Sequence, residues 1–464
     1  MEQFLDRAEK LLKDVIQSRD VSTLVVLQRL RDLTEVLDTL KLSDECRLTG
    51  NCALGLAEAL GGRSIEFRHE QAETLALIAG LSVYKPRART LFIQAVAICE
   101  EVVASDASYS NQVELLIVLH RAGYWASDHP DLCVQWLGTA VRLITKDLPS
   151  VMVPASFRTF IYNHYGNGLF CRKDYVGSIE AYQEAISILR GLVKDDPVKY
   201  THHLAQSLDN VGHSFRNLGK YDDAIATFKG AMDLCRATSA QDPLRYNVLA
   251  TKILHNYAKT LFIVNQVDEA AELMKEAVSL SRRLTEMGER GLKRLCISLH
   301  SYGTYCCRIG RYAEAISAYQ ESIPLWRGWI ASDPGERAYL LADLHNMAIS
   351  LHALGKSVEA DAAAIEALQM DDGKLLRICL YAPNLSLCFV CQRTITPDPS
   401  TLRSNPSILH SNPSTLHSQP TTPSTPLSAF FSHFSLSEPS TPLSPTAPRI
   451  KKREKILTLF KSRG

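Results

Sequence analysis

The chain has 464 residues with 51 basic against 50 acidic side chains, so no global charge points to nucleic acid or an anionic membrane. Twelve cysteines are scattered, many among apolar neighbours as at Cys99, Cys133, Cys235 and Cys296, which fits buried thiols in a reducing compartment better than a disulfide framework. The start, MEQFLDRAEK, lacks the basic-then-apolar layout of a signal peptide, and no apolar run approaches the roughly 18 residues of a membrane helix; a cytoplasmic or nucleocytoplasmic protein is expected.

Before Leu75 the pattern predicts two or three helices with Gly61-Gly62 as a break, so residues 1–74 read as a degenerate helical repeat or an N-terminal cap. A signature then recurs along the chain. It begins at Lys85 (KPRARTLFIQAVAIC), Pro130 (PDLCVQWLGTAVRLI), Tyr175 (YVGSIEAYQEAISIL), Tyr221 (YDDAIATFKGAMDLC), Val267 (VDEAAELMKEAVSLS), Tyr312 (YAEAISAYQESIPLW) and Ser357 (SVEADAAAIEALQM). The steps are 45 or 46 residues, and a fixed period of that size marks a helical repeat array. Residues 75–370 are therefore expected to form about six to seven helix hairpins, clearest over 160–370. Between Leu75 and Pro149 the second helix is readable, but the first lacks its small residue.

The clearest unit shows why the repeat is a hairpin. Leu204, Leu208, Val211, Phe215 and Leu218 step by three and four, an amphipathic helix. Gly219 supplies a turn where a side chain is costly, and Gly310 and Gly355 repeat the device. Tyr221, Ala224, Ile225, Phe228, Ala231 and Met232 form a second stripe. Asp196-Pro197, Asp242-Pro243 and Asp333-Pro334 are each placed to cap and open a helix. Gly166, Gly212, Ala258, Gly303 and Ala348 stand nine residues before the second helices, and Ala224, Ala270, Ala315 and Ala360 three residues inside them. Small residues at both places allow close approach of the pair. Asn265-Gln266-Val267 departs from the glycine turn, and Pro324 inside a second helix predicts a kink.

These residues resemble the tetratricopeptide repeat (TPR) family, whose pattern is met at Leu208, Gly212, Gly219, Tyr221, Ala224, Phe228 and Ala231. The longer unit looks like the long-helix variant of fungal and actinobacterial multi-repeat proteins, related in style to kinesin light chains. The resemblance implies an all-α, right-handed superhelical solenoid of antiparallel hairpins that acts as a non-enzymatic scaffold or adaptor for protein partners. It also leaves an alternative, a stand-alone or truncated sensor arm of a nucleotide-binding signalling receptor, with the NTPase supplied in trans.

After Met370 the pattern stops. Residues 371–393 read as a broken exit segment, since Pro383 interrupts the next first helix. Residues 394–448 are rich in Ser, Thr and Pro and contain a short internal repeat (PSTLRSN, PSILHSN, PSTLHSQ), a composition expected to stay disordered. Thr422, Thr425, Thr441 and Ser444 precede proline and fit proline-directed phosphorylation. Residues 449–464 form a basic amphipathic segment suited to nuclear import, a membrane surface or a partner helix.

Signs of catalysis are weak. SLHALGKS (Ser350–Ser357) has serine where a phosphate-binding loop needs its first glycine, and the repeat places it in a helix–turn–helix. Cys388-x-x-Cys391 lacks a second ligand pair, and Cys306-Cys307 sit side by side on a helix with at most one facing the core. No catalytic residue, metal or cofactor is expected. One row does suggest binding. Asn210, Asn256 and Asn346 stand two residues before the small residue of the first helix, and His164 and Ser301 complete the row. If that position lines the groove, an amide there can donate to and accept from a peptide backbone, similar to the asparagine ladders of TPR superhelices. The competing reading is a hydrogen bond between adjacent repeats. Nearby His213, Arg216, Lys259, Arg308, His300, His345 and His352 would favour an acidic or carboxylate-bearing partner.

Overall fold

A computed structural model describes residues 23–61, 64–238, 242–288, 291–330 and 336–370, and the regular structure among these residues is helical. Among the described residues, sixteen α-helices follow one another as eight hairpins. The first four hairpins are α1 (Thr23–Thr39) with α2 (Ser43–Gly61), α3 (Ile65–Ala79) with α4 (Ala88–Ser105), α5 (Tyr109–Trp125) with α6 (Pro130–Arg142), and α7 (Ala155–Cys171) with α8 (Tyr175–Asp195). The last four are α9 (Pro197–Asn217) with α10 (Tyr221–Thr238), α11 (Pro243–Ile263) with α12 (Val267–Glu286), α13 (Leu292–Arg308) with α14 (Tyr312–Ile330), and α15 (Arg337–Ala353) with α16 (Ser357–Met370). Residue 75 thus falls inside α3, which pairs with α4.

Each helix packs on its neighbour in sequence, which is the signature of a solenoid. The first helices of successive hairpins also touch one another, whereas the second helices meet only slightly. The more closely spaced row is the inside of a curve. First helices therefore line the concave face, and second helices the convex one.

Local chemistry sets the helix ends. Asp174, Asp196 and Asp242 each accept a hydrogen bond from a backbone amide three residues on, at 3.0–3.1 Å, and so cap α8, α9 and α11. Pro197 and Pro243 occupy the first turn, where no amide donor is required. The Asp333-Pro334 pair lies outside the described residues. Gly219, Gly310 and Gly355 turn the chain at φ of +77 to +82°, and Asn265 takes the same region at +65° in place of glycine. Lys173 does so too, at +65°, with a full side chain. Lys173→Gly is therefore expected to stabilise the α7–α8 turn by about 0.5–1 kcal/mol, read from the urea midpoint.

Close approach inside each hairpin depends on the small residues. A Cβ added at Gly212 would lie 2.8 Å from the Phe228 ring, and Gly166 and Gly303 face Tyr182 and Tyr319 as tightly. Ala258, Ala348, Ala224, Ala270, Ala315 and Ala360 are all buried. The expected loss of the small residue between Leu75 and Pro149 is corrected. Gly123 of α5 packs against Leu137, where a Cβ would come within 2.3 Å. Gly123 escaped the pattern because it stands seven, not nine, residues before its partner helix. Further along, α14 runs from Tyr312 to Ile330 through Pro324, which lacks the amide that would reach back to Gln320.

The core is a strip between the two rows of helices. Its largest buried side chains include Phe92, Tyr182, Phe228, Tyr319 and Trp326. On the convex face the second helices are joined by repeated ion pairs. Arg236 meets Glu276 at 2.7 Å, Arg282 meets Glu321 at 2.5 Å, and Arg327 meets Glu366. Each arginine stands fifteen residues after its helix start and each glutamate nine, so the same rung recurs three times. Being half-exposed, each rung contributes about 0.2–1 kcal/mol.

Candidate functional site

Successive first helices are stitched together by polar side chains. Asn163 of α7 accepts from Ser207 of α9 at 2.9 Å, His255 of α11 meets Ser298 of α13 at 3.4 Å, and His300 of α13 meets Asp343 of α15 at 2.5 Å. Those three first-named residues all stand twelve places before the next second helix. The same row holds Asp209 of α9, which is 1% exposed. Its carboxylate pairs with Lys252 at 3.0 Å and accepts from Asn256 at 2.9 Å, both on α11.

The asparagines of the predicted row lie in this seam. The Asn210 amide reaches Asn167 of α7, and that of Asn346 reaches Thr304 of α13, both at 3.5 Å. Asn256 is held more firmly, since its backbone and side-chain oxygens also accept from Arg216 at 3.1 and 3.4 Å. His164 meets His120 of α5 at 3.2 Å, and burial holds both imidazoles neutral, with pKa lowered to about 4. Ser301 is half-buried on α13. In the described structure the three asparagines and His164 therefore join adjacent repeats. Asn256→Ala is expected to cost about 1–3 kcal/mol, because it strips Asp209 and Arg216 of a partner each. Asn210→Ala and Asn346→Ala should each cost less than about 0.5 kcal/mol, and urea titration of the three variants tests the contrast.

The basic residues gather where α9, α11 and α13 meet. Arg216 is only 7% exposed, and burial brings its guanidinium down to about 10. Burial, reinforced by the nearby positive charge of Arg216, lowers the Lys259 ammonium to about 8. His213 is pushed well below its ordinary range by burial first and then by Arg216, Lys252 and Lys259, so it is neutral near pH 7. Aromatic rings border these groups. Phe170 lies 4.7 Å from His213, Phe262 stacks on Tyr305 at 5.0 Å, and exposed Arg308 sits 5.7 Å over Phe262. His300 is committed to Asp343, which also accepts from Ser322, while buried His345 and exposed His352 lie on α15.

Sequence patterning named Arg216, Lys259 and Arg308 but missed Asp209, Lys252 and the flanking rings. Asp209 sits in a row otherwise filled by Asn and His, and that break in the row was its visible signal. The Ser350–Ser357 segment is the end of α15, a turn at Gly355 and the start of α16. Cys306 is buried and its neighbour Cys307 partly so. Cys388, Cys391, the Thr/Ser-Pro sites and the basic segment all lie outside the described residues. Among the described residues no group of three or more His, Cys, Asp or Glu could hold a metal ion, and no helix is long and apolar enough to cross a membrane.

Residues 207–241, the second half of α9 with α10, match the tetratricopeptide repeat family. That segment is a tetratricopeptide repeat. Solved structures similar to this chain include the apo form of RapI, at 10% identity over 76% of this chain and 99% of RapI, with a TM-score of 0.45. Another is BtubC from P. vanneervenii, at 17% identity over 66% and 99% of the two chains, with a TM-score of 0.40. A third is YrrB, described as a TPR protein with an unusual peptide-binding site, at 16% identity over 48% and 91%, with a TM-score of 0.32. Comparison with curated proteins finds no match to the chain. TPR arrays serve in general as protein-interaction scaffolds.

Proposed function

We propose that this chain is a non-catalytic adaptor that holds an extended, acidic segment of a partner protein along its concave face. The observation that carries this reading is the desolvated pair Arg216 and Lys259, set between the His213–Phe170 and Phe262–Tyr305 rings. Arg216, Lys252 and Lys259 gather around His213 with the single buried carboxylate of Asp209, and an incoming carboxylate offsets the excess of positive charge. The rings then pack apolar side chains beside the acid. Because the face is preformed on rigid helices, little ordering cost falls on the receptor. The asparagine row supports this reading through spare capacity: each carboxamide has two donor hydrogens, and the contacts described use one. A peptide backbone takes the other.

The test compares partners captured from a native lysate by the full chain and by a Lys259→Ala, Arg308→Ala variant. At least tenfold weaker capture by the variant, with salt sensitivity in the wild type, is expected. Undiminished capture would move the binding surface away from the α9–α11–α13 junctions.

A further inference from the structure

A second concavity lies away from the concave face, beside the first of the convex rungs. It is a wedge of about 350 Å³ between α10 and α12, roofed by the first half of α11. That volume is at the low end for ligand sites, which run from about 300 to 1,000 Å³. Its floor is apolar: Met232, Cys235, Ala250 and Leu280 are each no more than 6% exposed. One wall is Asn247, 7% exposed, whose carboxamide makes no hydrogen bond among the described residues. Its amide atoms keep contact with solvent, so they are free to bond a molecule that enters the wedge. At the rim, Arg236 is matched by Glu276, while exposed Arg283 makes no ion pair among the described residues.

Neighbouring repeats do not build this arrangement. At the position of Asn247, twenty residues before the second helix, α9 carries Thr201, whose hydroxyl is satisfied by the Pro197 carbonyl at 2.7 Å. In α13 that position is Leu292. The wedge thus joins an apolar floor, an unpartnered amide and a guanidinium fork at a single junction.

We propose that this wedge binds an aliphatic chain ending in a carboxylate. Arg283 takes the carboxylate through its planar fork, Asn247 donates a second hydrogen bond, and the stem lies on Met232, Ala250 and Leu280. The same chemistry belongs to a free aliphatic acid and to the C-terminal leucine of a peptide.

Calorimetric titration of the full chain with octanoate, with a short peptide ending in leucine, and with that peptide amidated separates the two sources. Hydrogen exchange of the full chain, followed by mass spectrometry, locates the site, with α14 as the internal control. At least one carboxylate should bind and slow exchange in α11 and α12 threefold or more while α14 exchanges unchanged. Arg283→Gln should weaken that binding at least tenfold with an unaltered thermal midpoint, and Asn247→Leu should weaken it at least threefold. Binding of octanoate alone assigns a free acid, and binding of the peptide alone assigns a chain terminus. The proposal is overturned if neither carboxylate binds, if the amidated peptide binds equally, or if Arg283→Gln binds as the wild type does. Binding that leaves exchange in α11 and α12 unchanged overturns it as well, because the ligand then sits elsewhere.

Discussion

Acidification from pH 6.5 to about 4 is expected to lower the urea midpoint of the array steeply. His120, His164, His202 and His255 are each held neutral by burial, with pKa lowered to about 4. In the unfolded chain a histidine takes up its proton near pH 6.5. The unfolded state therefore binds more protons throughout this window, so stability falls as pH falls, and the contribution is fully present only above about 6.5. An imidazole held to about 4 contributes on the order of 3 kcal/mol at neutral pH, and His120 and His164, in direct contact, titrate as one unit. Glu114 acts in the opposite sense, since burial raises its carboxyl and protonation relieves that cost. One such group does not offset four histidines. Urea titrations at half-unit steps of pH provide the measurement, and His255→Gln should flatten the slope. A midpoint unchanged down to pH 4.5 would show that these rings are open to solvent.

Replacing Trp326 by alanine should cost about 3–5 kcal/mol, the range for a large aromatic lost from a packed core. Trp326 is fully buried on α14 and stacks almost parallel on Tyr339 of α15, with centroids 4.8 Å apart. The damage should be local, because stability in a solenoid is a sum of units and nearest-neighbour contacts. Hydrogen exchange is the discriminating readout. Amides in α15 and α16 should lose protection, while those in α9 and α10 keep it. Uniform loss along the chain would mean that the array unfolds as one cooperative block. Trp326→Phe, which keeps a ring against Tyr339, should recover much of the loss.

The second helices were legible because their small and aromatic residues recur at fixed spacing. Tyr175, Tyr221, Val267, Tyr312 and Ser357 each open one, as the pattern requires. Gly123 was not legible, because it stands two residues before the end of its helix, where Gly166 and Gly212 stand five before theirs, and so falls out of register with them. For the asparagines, sequence gave the row but not its partners. Asn256 is engaged by Asp209, 47 residues earlier, and by Arg216, 40 residues earlier, so its bonds depend on how two repeats stack. The same limit applied to the basic cluster. Arg216 and Lys259 look like ordinary surface cations in one dimension, and only the packing of α9 on α11 shows that they are desolvated.

The convex rungs bear on how such a chain can lengthen. Arginine at place fifteen and glutamate at place nine belong to one and the same unit, so a duplicated hairpin arrives already complementary to its parent. A new copy slipped into the array neither breaks a rung nor needs a fresh mutation to make one. Excision is equally silent: loss of residues 267–311 would bring Arg236 opposite Glu321 in the geometry it now shares with Glu276. Repeat number is thereby freed to drift, and with it the length of groove offered to a partner. Between α8 and α10 the series is interrupted, because Gly230 stands where the glutamate would be and leaves Arg190 facing it. The α8 hairpin nevertheless carries both partners, Glu184 at place nine and Arg190 at place fifteen, so it shares this interchangeability with the hairpins of α12 and α14, and the α10 hairpin is the one whose copy would leave an arginine unmatched.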